Sequence, residues 1–185
     1  MAPFGQSKVI TKLRYQTIVA KKGTVKLLPR ETVLHVRDTC LCLAAQRAAR
    51  RLARHFDQAL KPTGLTNGQF SLLMALNQPD PPPMGQLAEF LAMEPSTLSA
   101  AAKVLERRGL ITMERDPIDG RSKRLRISSS GVALMREAVG IWRQSHALLE
   151  AQLPPGAGQA LREGLAELTT AALSGETVAS HSSGS

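Results

Sequence analysis

The stretch ERDPIDGRSKRLRISSSG, residues 114–131, combines a turn sequence with a dense group of basic side chains. Pro117, Asp119 and Gly120 are typical turn residues, and apolar residues alternate with polar ones on both sides of them. This pattern predicts a two-stranded β-hairpin with one apolar face and one basic face. A narrow, positively charged hairpin is suited to a nucleic-acid groove. The basic residues are Arg115, Arg121, Lys123, Arg124 and Arg126.

Three short helical segments precede this hairpin. Thr66 or Asn67 is a predicted N-cap for the first, the second follows the proline-rich run at 77–83, and the third begins near Pro95 and ends at Gly109. The inward positions predicted along them are Phe70, Leu73, Met74, Leu76, Leu87, Phe90, Leu91, Leu98, Ala101, Ala102 and Leu105. The outward edge of the third helix consists of Ser96, Thr97, Ser99, Ala100 and Lys103.

The order of these elements bears on the meaning of the basic hairpin. A charged hairpin alone is equally consistent with a solvated surface loop. Three helices followed by a hairpin, however, is the order of a winged helix-turn-helix, in which one helix enters the major groove and the hairpin reaches the neighbouring backbone or minor groove. The combination favours a DNA-binding lobe, with Ser96, Thr97, Ser99 and Lys103 on its reading helix.

Long helical patterns flank the lobe. Residues 32–61 contain no Gly or Pro, and their apolar stripe predicts one helix about 45 Å long, which is too long for a single small core and indicates a partner chain.

The predicted fold is mainly α with a small β-hairpin wing: a winged helix-turn-helix DNA-binding lobe plus long N- and C-terminal dimerisation helices. The predicted segments are a basic, disordered extension (1–30), a first dimerisation helix (31–62), the DNA-binding lobe (63–130), C-terminal dimerisation helices (131–173) and a disordered tail (174–185).

Composition limits the other function classes. The 185 residues carry a formal charge of +9, of which +7 lies in residues 1–30, so the positive charge of the rest must be local. Two cysteines, two residues apart, indicate a cytoplasmic protein with reduced thiols, and no apolar run approaches the ~20 residues that cross a bilayer. No phosphate loop, nucleophile elbow or zinc-protease helix is present. The sequence therefore predicts neither an enzyme nor a bound cofactor or metal.

Residues 33–173 resemble the MarR family of bacterial regulators. The resemblance is carried by LTNGQFSLLMAL, QLAEFLAMEPSTLSAAAKVLERRGLI and the hairpin sequence. It implies a homodimer that binds a pseudo-palindromic operator in double-stranded DNA, with Arg121 in the minor groove and Asp119 holding its guanidinium. Arg115 and Arg124 would be supporting positions in the wing. The expected function is that of a repressor released by a small-molecule ligand.

The reading helix departs from the family pattern at one position. Relatives often carry a long polar or basic residue where this chain has Ala100, and Ala101 and Ala102 follow it. Direct base readout is therefore expected to be thin. More weight would fall on contacts from the wing and on the shape of the DNA.

The resemblance also implies a cavity for a small, often aromatic, molecule. Its expected lining is Trp142, Phe70, Leu73 and His35, although ordinary core packing explains the same residues.

Two alternatives stay open. Some relatives sense peroxides through a cysteine near the start of the first helix, and Cys42 lies at about that position, with Cys40 beside it. Those sensors pair the thiol with tyrosines, where this chain has Phe56 and Phe70, so a packed, inert thiol is the competing interpretation. Metal binding by both cysteines is disfavoured because they point about 200° apart on a helix. The second alternative is a winged-helix protein–protein adaptor.

Overall fold

The computed structural model describes residues 27–115 and 123–173. The chain divides into two compact units, residues 1–47 and residues 48–185. The predicted extension up to residue 26 and the predicted tail at 174–185 lie outside the described residues. The helices are α1 (Arg30–Thr39), α2 (Leu41–Leu60), α3 (Asn67–Leu76), α4 (Met84–Phe90), α5 (Pro95–Arg107), α6 (Ser129–Glu150) and α7 (Ala157–Leu173), the strands are β1 (Ile111–Arg115) and β2 (Lys123–Ile127), and a 3-10 turn spans Lys61–Thr63.

The first unit contains α1 and the beginning of α2. The prediction of one unbroken helix is wrong at Cys40, whose backbone is extended with φ −74° and ψ 106°. The Thr39 hydroxyl donates to the carbonyl of His35 at 2.8 Å. Asp38, Thr39 and Cys40 form a run of weak helix formers, and a hydroxyl that bonds the backbone competes with regular helix geometry. No Gly or Pro announces this break in the sequence.

In the second unit, local signals set the ends of the short helices. The Thr66 hydroxyl accepts from the amide of Gln69 at 3.2 Å and the Gln69 side chain accepts from the amide of Thr66 at 3.1 Å, which is a reciprocal capping box at the start of α3. Pro95 occupies the first turn of α5. Gly109, at φ 70°, ends that helix in a left-handed conformation.

The hairpin pairs β1 with β2 in antiparallel register, Ile111 opposite Ile127 and Arg115 opposite Lys123. Ile111 and Leu125 are buried while Thr112 and Arg126 are exposed, so the predicted alternation of apolar and basic faces is confirmed. Pro83, in the loop before α4, forms a bridge with Arg124 on the outer side of β2.

The core of the second unit lies between α3, α5, α6 and the hairpin. Its fully buried large side chains are Leu60, Leu72, Leu73, Leu76, Leu87, Leu98, Leu105, Ile111 and Leu125. At the N-terminus of α6 the approach is so close that a Cβ on Gly131 would overlap the carbonyl of Leu110. The Ser128 hydroxyl joins the same elements, since it accepts from the Gly131 amide at 3.0 Å and donates to the Gly109 carbonyl at 2.6 Å.

Arg108 ties the end of α5 to the turn that follows α2. Its guanidinium donates to the carbonyl of Gly64 at 2.8 Å and to that of Thr63 at 3.1 Å. Carbonyls at a helix C-terminus carry partial negative charge, so a cation is favoured there. Gly64 has φ 64°, and a Cβ on it would lie 3.3 Å from the Arg108 guanidinium.

Several positions predicted to face inward are exposed. Along α2 only Phe56 and Leu60 are buried, whereas Leu52 is 41% exposed and Leu41 69% exposed. The predicted apolar stripe therefore extends beyond the part of α2 that is buried in this chain. Phe90 is 75% exposed because α4 is only seven residues long and Leu87 and Ala88 occupy its core-facing side.

Met74 is also exposed, at 43%, because Leu72, Leu73 and Leu76 fill the core-facing positions of α3. Leu72, which the predicted core omitted, is fully buried.

Candidate nucleic-acid interface

The exposed edge of α5 is set by the residues that anchor its other side. Leu98, Ala102 and Leu105 are fully buried, and their spacing of four and three residues fixes the orientation of the helix. Ser96, Thr97, Ala100 and Lys103 are exposed and Ser99 is half-buried. This edge therefore carries small hydroxyl side chains near the N-terminus of the helix and one cation further along.

The basic side chains of the hairpin divide into three environments. Arg115 and Lys123 are exposed and stand opposite each other at the end of the described ladder. The Arg126 guanidinium lies 3.4 Å from the Glu114 carboxylate on the neighbouring strand. Arg121 and Asp119, the two residues on which the predicted minor-groove contact depends, lie outside the described residues.

Arg124 has an environment that the sequence did not indicate. Its side chain is 12% exposed, and its guanidinium donates to Asp80 at 2.7 Å and to the carbonyl of Pro81 at 3.4 Å. Both acceptors belong to the loop between α3 and α4. The structure thus places Arg124 where it holds the hairpin against this loop. Asp80 is a residue that sequence reasoning missed, because its partner lies 44 positions away in the chain.

A cleft of about 700 Å³ lies between α3, the end of α4 and α6. Two of the predicted ligand residues line it: the rings of Phe70 and Trp142 are stacked with centroids 6.5 Å apart. Leu73 is fully buried beneath the surface and is not among the lining residues, and His35 is an exposed residue of α1 in the first unit. The lining residues that were not predicted are Ser71, Met74, Ala75, Phe90, Leu91, Val139 and Arg143.

Next to Trp142, the side chains of His146, Glu150 and Arg162 form consecutive aromatic and ionic contacts. The ring of His146 lies 4.8 Å from that of Trp142, and its Nδ1 atom is 3.7 Å from Glu150. Arg162 of α7 donates to the other oxygen of that carboxylate and lowers the pKa of Glu150. The helical period places residues 142, 146 and 150 on one face of α6, and that signal was available in the sequence.

The two cysteines differ in exposure. Cys40 is half-buried at the break between α1 and α2, where its sulfur accepts from the amide of Leu43 at 3.4 Å. Cys42 is exposed, and the Gln46 side-chain amide donates to its sulfur at 3.3 Å. Both thiols are free. Among the described residues, no group of three or more His, Cys, Asp or Glu side chains is arranged to hold a metal ion.

Within residues 27–115 and 123–173, no helix is both long enough and apolar enough to cross a bilayer.

The chain is similar in sequence to known proteins. Residues 65–123 match the model of the MarR family. The chain is 37% identical over 87 residues to the HTH-type transcriptional regulator YxaD of Bacillus subtilis, covering 46% of this chain and 61% of YxaD, which is less than two thirds of that protein. It is 27% identical over 101 residues to the organic hydroperoxide resistance transcriptional regulator of the same organism, covering 55% and 69%.

Solved structures extend the match beyond the lobe. The Mycobacterium tuberculosis transcriptional regulator MosR in complex with DNA is 34% identical, with a TM-score of 0.65 and coverage of 73% of this chain and 97% of that one. Bordetella bronchiseptica BpsR, whose DNA binding is regulated by 6-hydroxynicotinic acid, shares the fold at 23% identity, a TM-score of 0.64, and coverage of 71% and 94%. The similarity to MosR over nearly that whole chain, together with the match at 65–123, shows that this protein belongs to the MarR family of transcriptional regulators.

Proposed function

We propose that the protein is a homodimeric repressor that binds a pseudo-palindromic operator and is released by a small-molecule ligand. The observation that carries the proposal is the division of α5 into two sides. Leu98, Ala102 and Leu105 are fully buried, while Ser96 and Thr97 are exposed, and a basic hairpin follows the helix in the chain. An amphipathic helix held in this way presents its polar edge to the major groove.

In this proposal the wing supplies most of the sequence-independent affinity. Arg115 and Lys123 flank the turn from opposite strands, and Arg121 would enter the minor groove with Asp119 holding its guanidinium. Ala100 is exposed on the reading edge and offers no hydrogen-bonding group. Discrimination between operators therefore relies on DNA shape, because a narrow minor groove attracts an inserted arginine more strongly.

Exposed apolar side chains support a second copy of the chain as a partner. A leucine left in water forgoes about 1.5–3 kcal/mol relative to burial, so a repeated set along one helix face favours association. On α7 the exposed leucines recur at spacings of four and three residues. The exposed apolar residues available for a subunit contact are Val33, Val36 and Leu41 in the first unit, and Leu52, Leu161, Leu165 and Leu168 in the second.

Ligand release follows from the geometry that two reading helices must satisfy. Successive major grooves are about 34 Å apart on one side of DNA, and a dimer must match that spacing. The cleft lined by Phe70 and Trp142 lies between α3, which belongs to the lobe, and α6. A ligand that prefers another separation of the lobes lowers operator affinity by its differential binding energy. The regulation of BpsR by 6-hydroxynicotinic acid supports this kind of control in the fold.

The deciding experiment is a binding titration on palindromes selected from random duplexes. Arg121→Ala is expected to weaken the selected operator by roughly tenfold to a hundredfold, the range for loss of a specific groove contact. Arg126→Ala is the matched control, because it removes the same charge from a guanidinium already paired with Glu114. Equal, weak and salt-sensitive binding to every duplex would instead favour the adaptor function.

A second candidate function is peroxide sensing at Cys42. The observation that favours it is the exposed thiol with Gln46 as a donor at 3.3 Å, together with the sequence similarity to the organic hydroperoxide resistance regulator. The thiolate sulfur would attack one oxygen of an organic hydroperoxide and break the O–O bond. The alkoxide takes up a proton and leaves as the alcohol, and Cys42 becomes a sulfenic acid.

Peroxide-triggered release from the operator separates the two candidates. If Cys42 is the sensor, Cys42→Ser abolishes release by cumene hydroperoxide while Cys40→Ser, the matched control, retains it. If ligand release is the main mechanism, operator binding by both variants and by the wild type is insensitive to the peroxide.

A further inference from the structure

Two clefts adjoin on the surface of the second unit along α6. The first is the aromatic cleft of about 700 Å³ described above, and the second, of about 430 Å³, includes Asn77 and Arg136 in its lining. Met74, Val139 and Arg143 line both clefts. Because these three residues line both clefts, the two clefts lie side by side along α6, and we call them together the α6 groove.

The α6 groove has an aromatic part and a cationic part. Arg136, Val139 and Arg143 follow one another at spacings of three and four residues, so they lie on one face of α6. The Cα atoms of the two arginines are about 10.5 Å apart along the helix axis. Arg143 lines both clefts, whereas Arg136 lines only the second one.

Both arginines are exposed, and neither has an ion-pair partner among residues 27–115 and 123–173. This distinguishes them from Arg124 and Arg162, whose charges are met by Asp80 and Glu150. A guanidinium presents a planar set of donors that matches a carboxylate or a phosphate. Two unneutralised guanidiniums on one groove wall favour a ligand with two negative charges over one with a single charge.

We propose that the α6 groove binds an elongated amphipathic dianion. A flat aromatic body packs against Trp142 and Phe70, the first anionic group pairs with Arg143, and the second extends into the smaller cleft to Arg136. The proposal deepens the ligand-release function and rests on it for the consequence at the operator. The binding itself is tested without DNA.

Trp142 is the only tryptophan of the chain and lines the aromatic cleft, so its fluorescence reports occupancy. The probes are N-(2-naphthoyl)-L-glutamate, a dianion, and N-(2-naphthoyl)-L-glutamine, a monoanion of nearly the same shape. Titration calorimetry and Trp142 quenching are expected to show the glutamate compound binding roughly tenfold more tightly, the range for one charge-assisted contact.

Variants assign each charge to its arginine. Arg136→Gln is expected to remove the roughly tenfold preference for the glutamate compound and leave the affinity for the glutamine compound unchanged. Arg143→Gln is expected to weaken both. Arg54→Gln, which removes an exposed charge from α2 outside both clefts, is the matched control and leaves both affinities unchanged.

Three results would overturn the inference. The first is equal binding of the two probes, and the second is a preference that survives Arg136→Gln. The third is the absence of probe binding with a weakened dimer in the arginine variants, which would assign these side chains to the subunit contact. If the wild type binds the glutamate compound as expected but recognises no palindrome, the groove stands and the proposed repressor function fails.

Discussion

Asp80 is a carboxylate near the proposed DNA-binding surface, and we expect it to strengthen DNA binding although it is negatively charged. Its oxygen accepts from the largely buried Arg124 guanidinium at 2.7 Å, and the hairpin is held against the α3–α4 loop through this contact. A carboxylate near DNA normally opposes the approach of phosphates. If the anchor matters more than this repulsion, removing the negative charge weakens binding although it makes the protein more positive.

We therefore predict that Asp80→Asn lowers specific operator affinity by a few-fold to about tenfold, the effect of roughly 1 kcal/mol in a partly buried charged hydrogen bond. Fluorescence anisotropy with a labelled operator measures it. Glu137→Gln serves as the control, because it removes one negative charge from an exposed position on α6. Tighter binding by Asp80→Asn would show that simple charge repulsion decides the outcome.

The Asp80–Arg124 pair also shows that a sequence pattern can identify a residue without identifying its partner. The identity of Arg124 and its place on a basic strand were readable from the alternation of residues 123–127. Its partner was not, since no local pattern relates two positions 44 residues apart. The prediction that Phe90 faces inward was wrong for a related reason. A seven-residue helix has too few turns for its period to identify the buried face.

Among the elements, α6 provides a direct test of packing because it contains two glycines in different surroundings. At Gly131 an added methyl group would overlap the carbonyl of Leu110 and lie 2.8 Å from the Ile127 side chain. At Gly140 nothing lies within 4 Å. The same substitution therefore tests overpacking at one site and helix propensity at the other.

Gly131→Ala is expected to lower the free energy of unfolding by about 1–3 kcal/mol, the range for overpacking a tight site. Gly140→Ala is expected to raise it by about 0.5–1 kcal/mol, since alanine is the better helix former. Urea denaturation of the two variants checks both signs. Equal effects at the two positions would mean that the α6–hairpin junction is looser than the structure indicates.

The contact between α6 and α7 depends on pH. The Arg162 guanidinium lowers the pKa of Glu150, and His146 adds to this effect. Because the pKa of Glu150 is lower in the folded chain than its ordinary 4.5, the contact is fully stabilising above pH 4.5 and is lost as the pH falls through the folded pKa.

Arg162→Gln should consequently have a lower melting temperature than the wild type near neutral pH, with the difference vanishing as the pH falls well below 4.5. Thermal denaturation followed by circular dichroism across this range measures the difference. A gap that stays constant down to the lowest pH would contradict the assigned role of the ion pair.

Elements were predictable where strong local signals coincide. The capping box at Thr66 and Gln69, Pro95 at the start of α5 and the change of period at Ile111 each identified an element. The break at Cys40 was not predictable, because it results from a run of weak helix formers and not from a breaker residue. The contacts predicted for Arg121 and Asp119 stay a prediction, as does the cytoplasmic location.

For the molecule as a whole, the central question is whether the chain associates with itself. Leu161, Leu165 and Leu168 are 56%, 52% and 39% exposed on one face of α7. Leu165→Glu is expected to weaken dimerisation by tenfold or more, since burial of one leucine contributes about 1.5–3 kcal/mol. Sedimentation velocity over a concentration series measures the change.

The control for this variant places the same charge on the opposite side of α7. Ala166 is exposed and its position lies away from the leucine stripe. Ala166→Glu should leave the dimer intact. Loss of self-association in both variants would indicate that the helix itself is disturbed, and loss in neither would remove α7 from the subunit contact.

The hydrogen bonds from Arg108 to Thr63 and Gly64 restrict how the reading helix can be regulated. They hold the C-terminal end of α5 against the turn that follows α2. In the proposed mechanism of ligand release, α5 would therefore move together with the rest of the lobe. Variants that still bind the operator but no longer respond to the ligand would then be expected at Arg108, which lines neither cleft of the α6 groove.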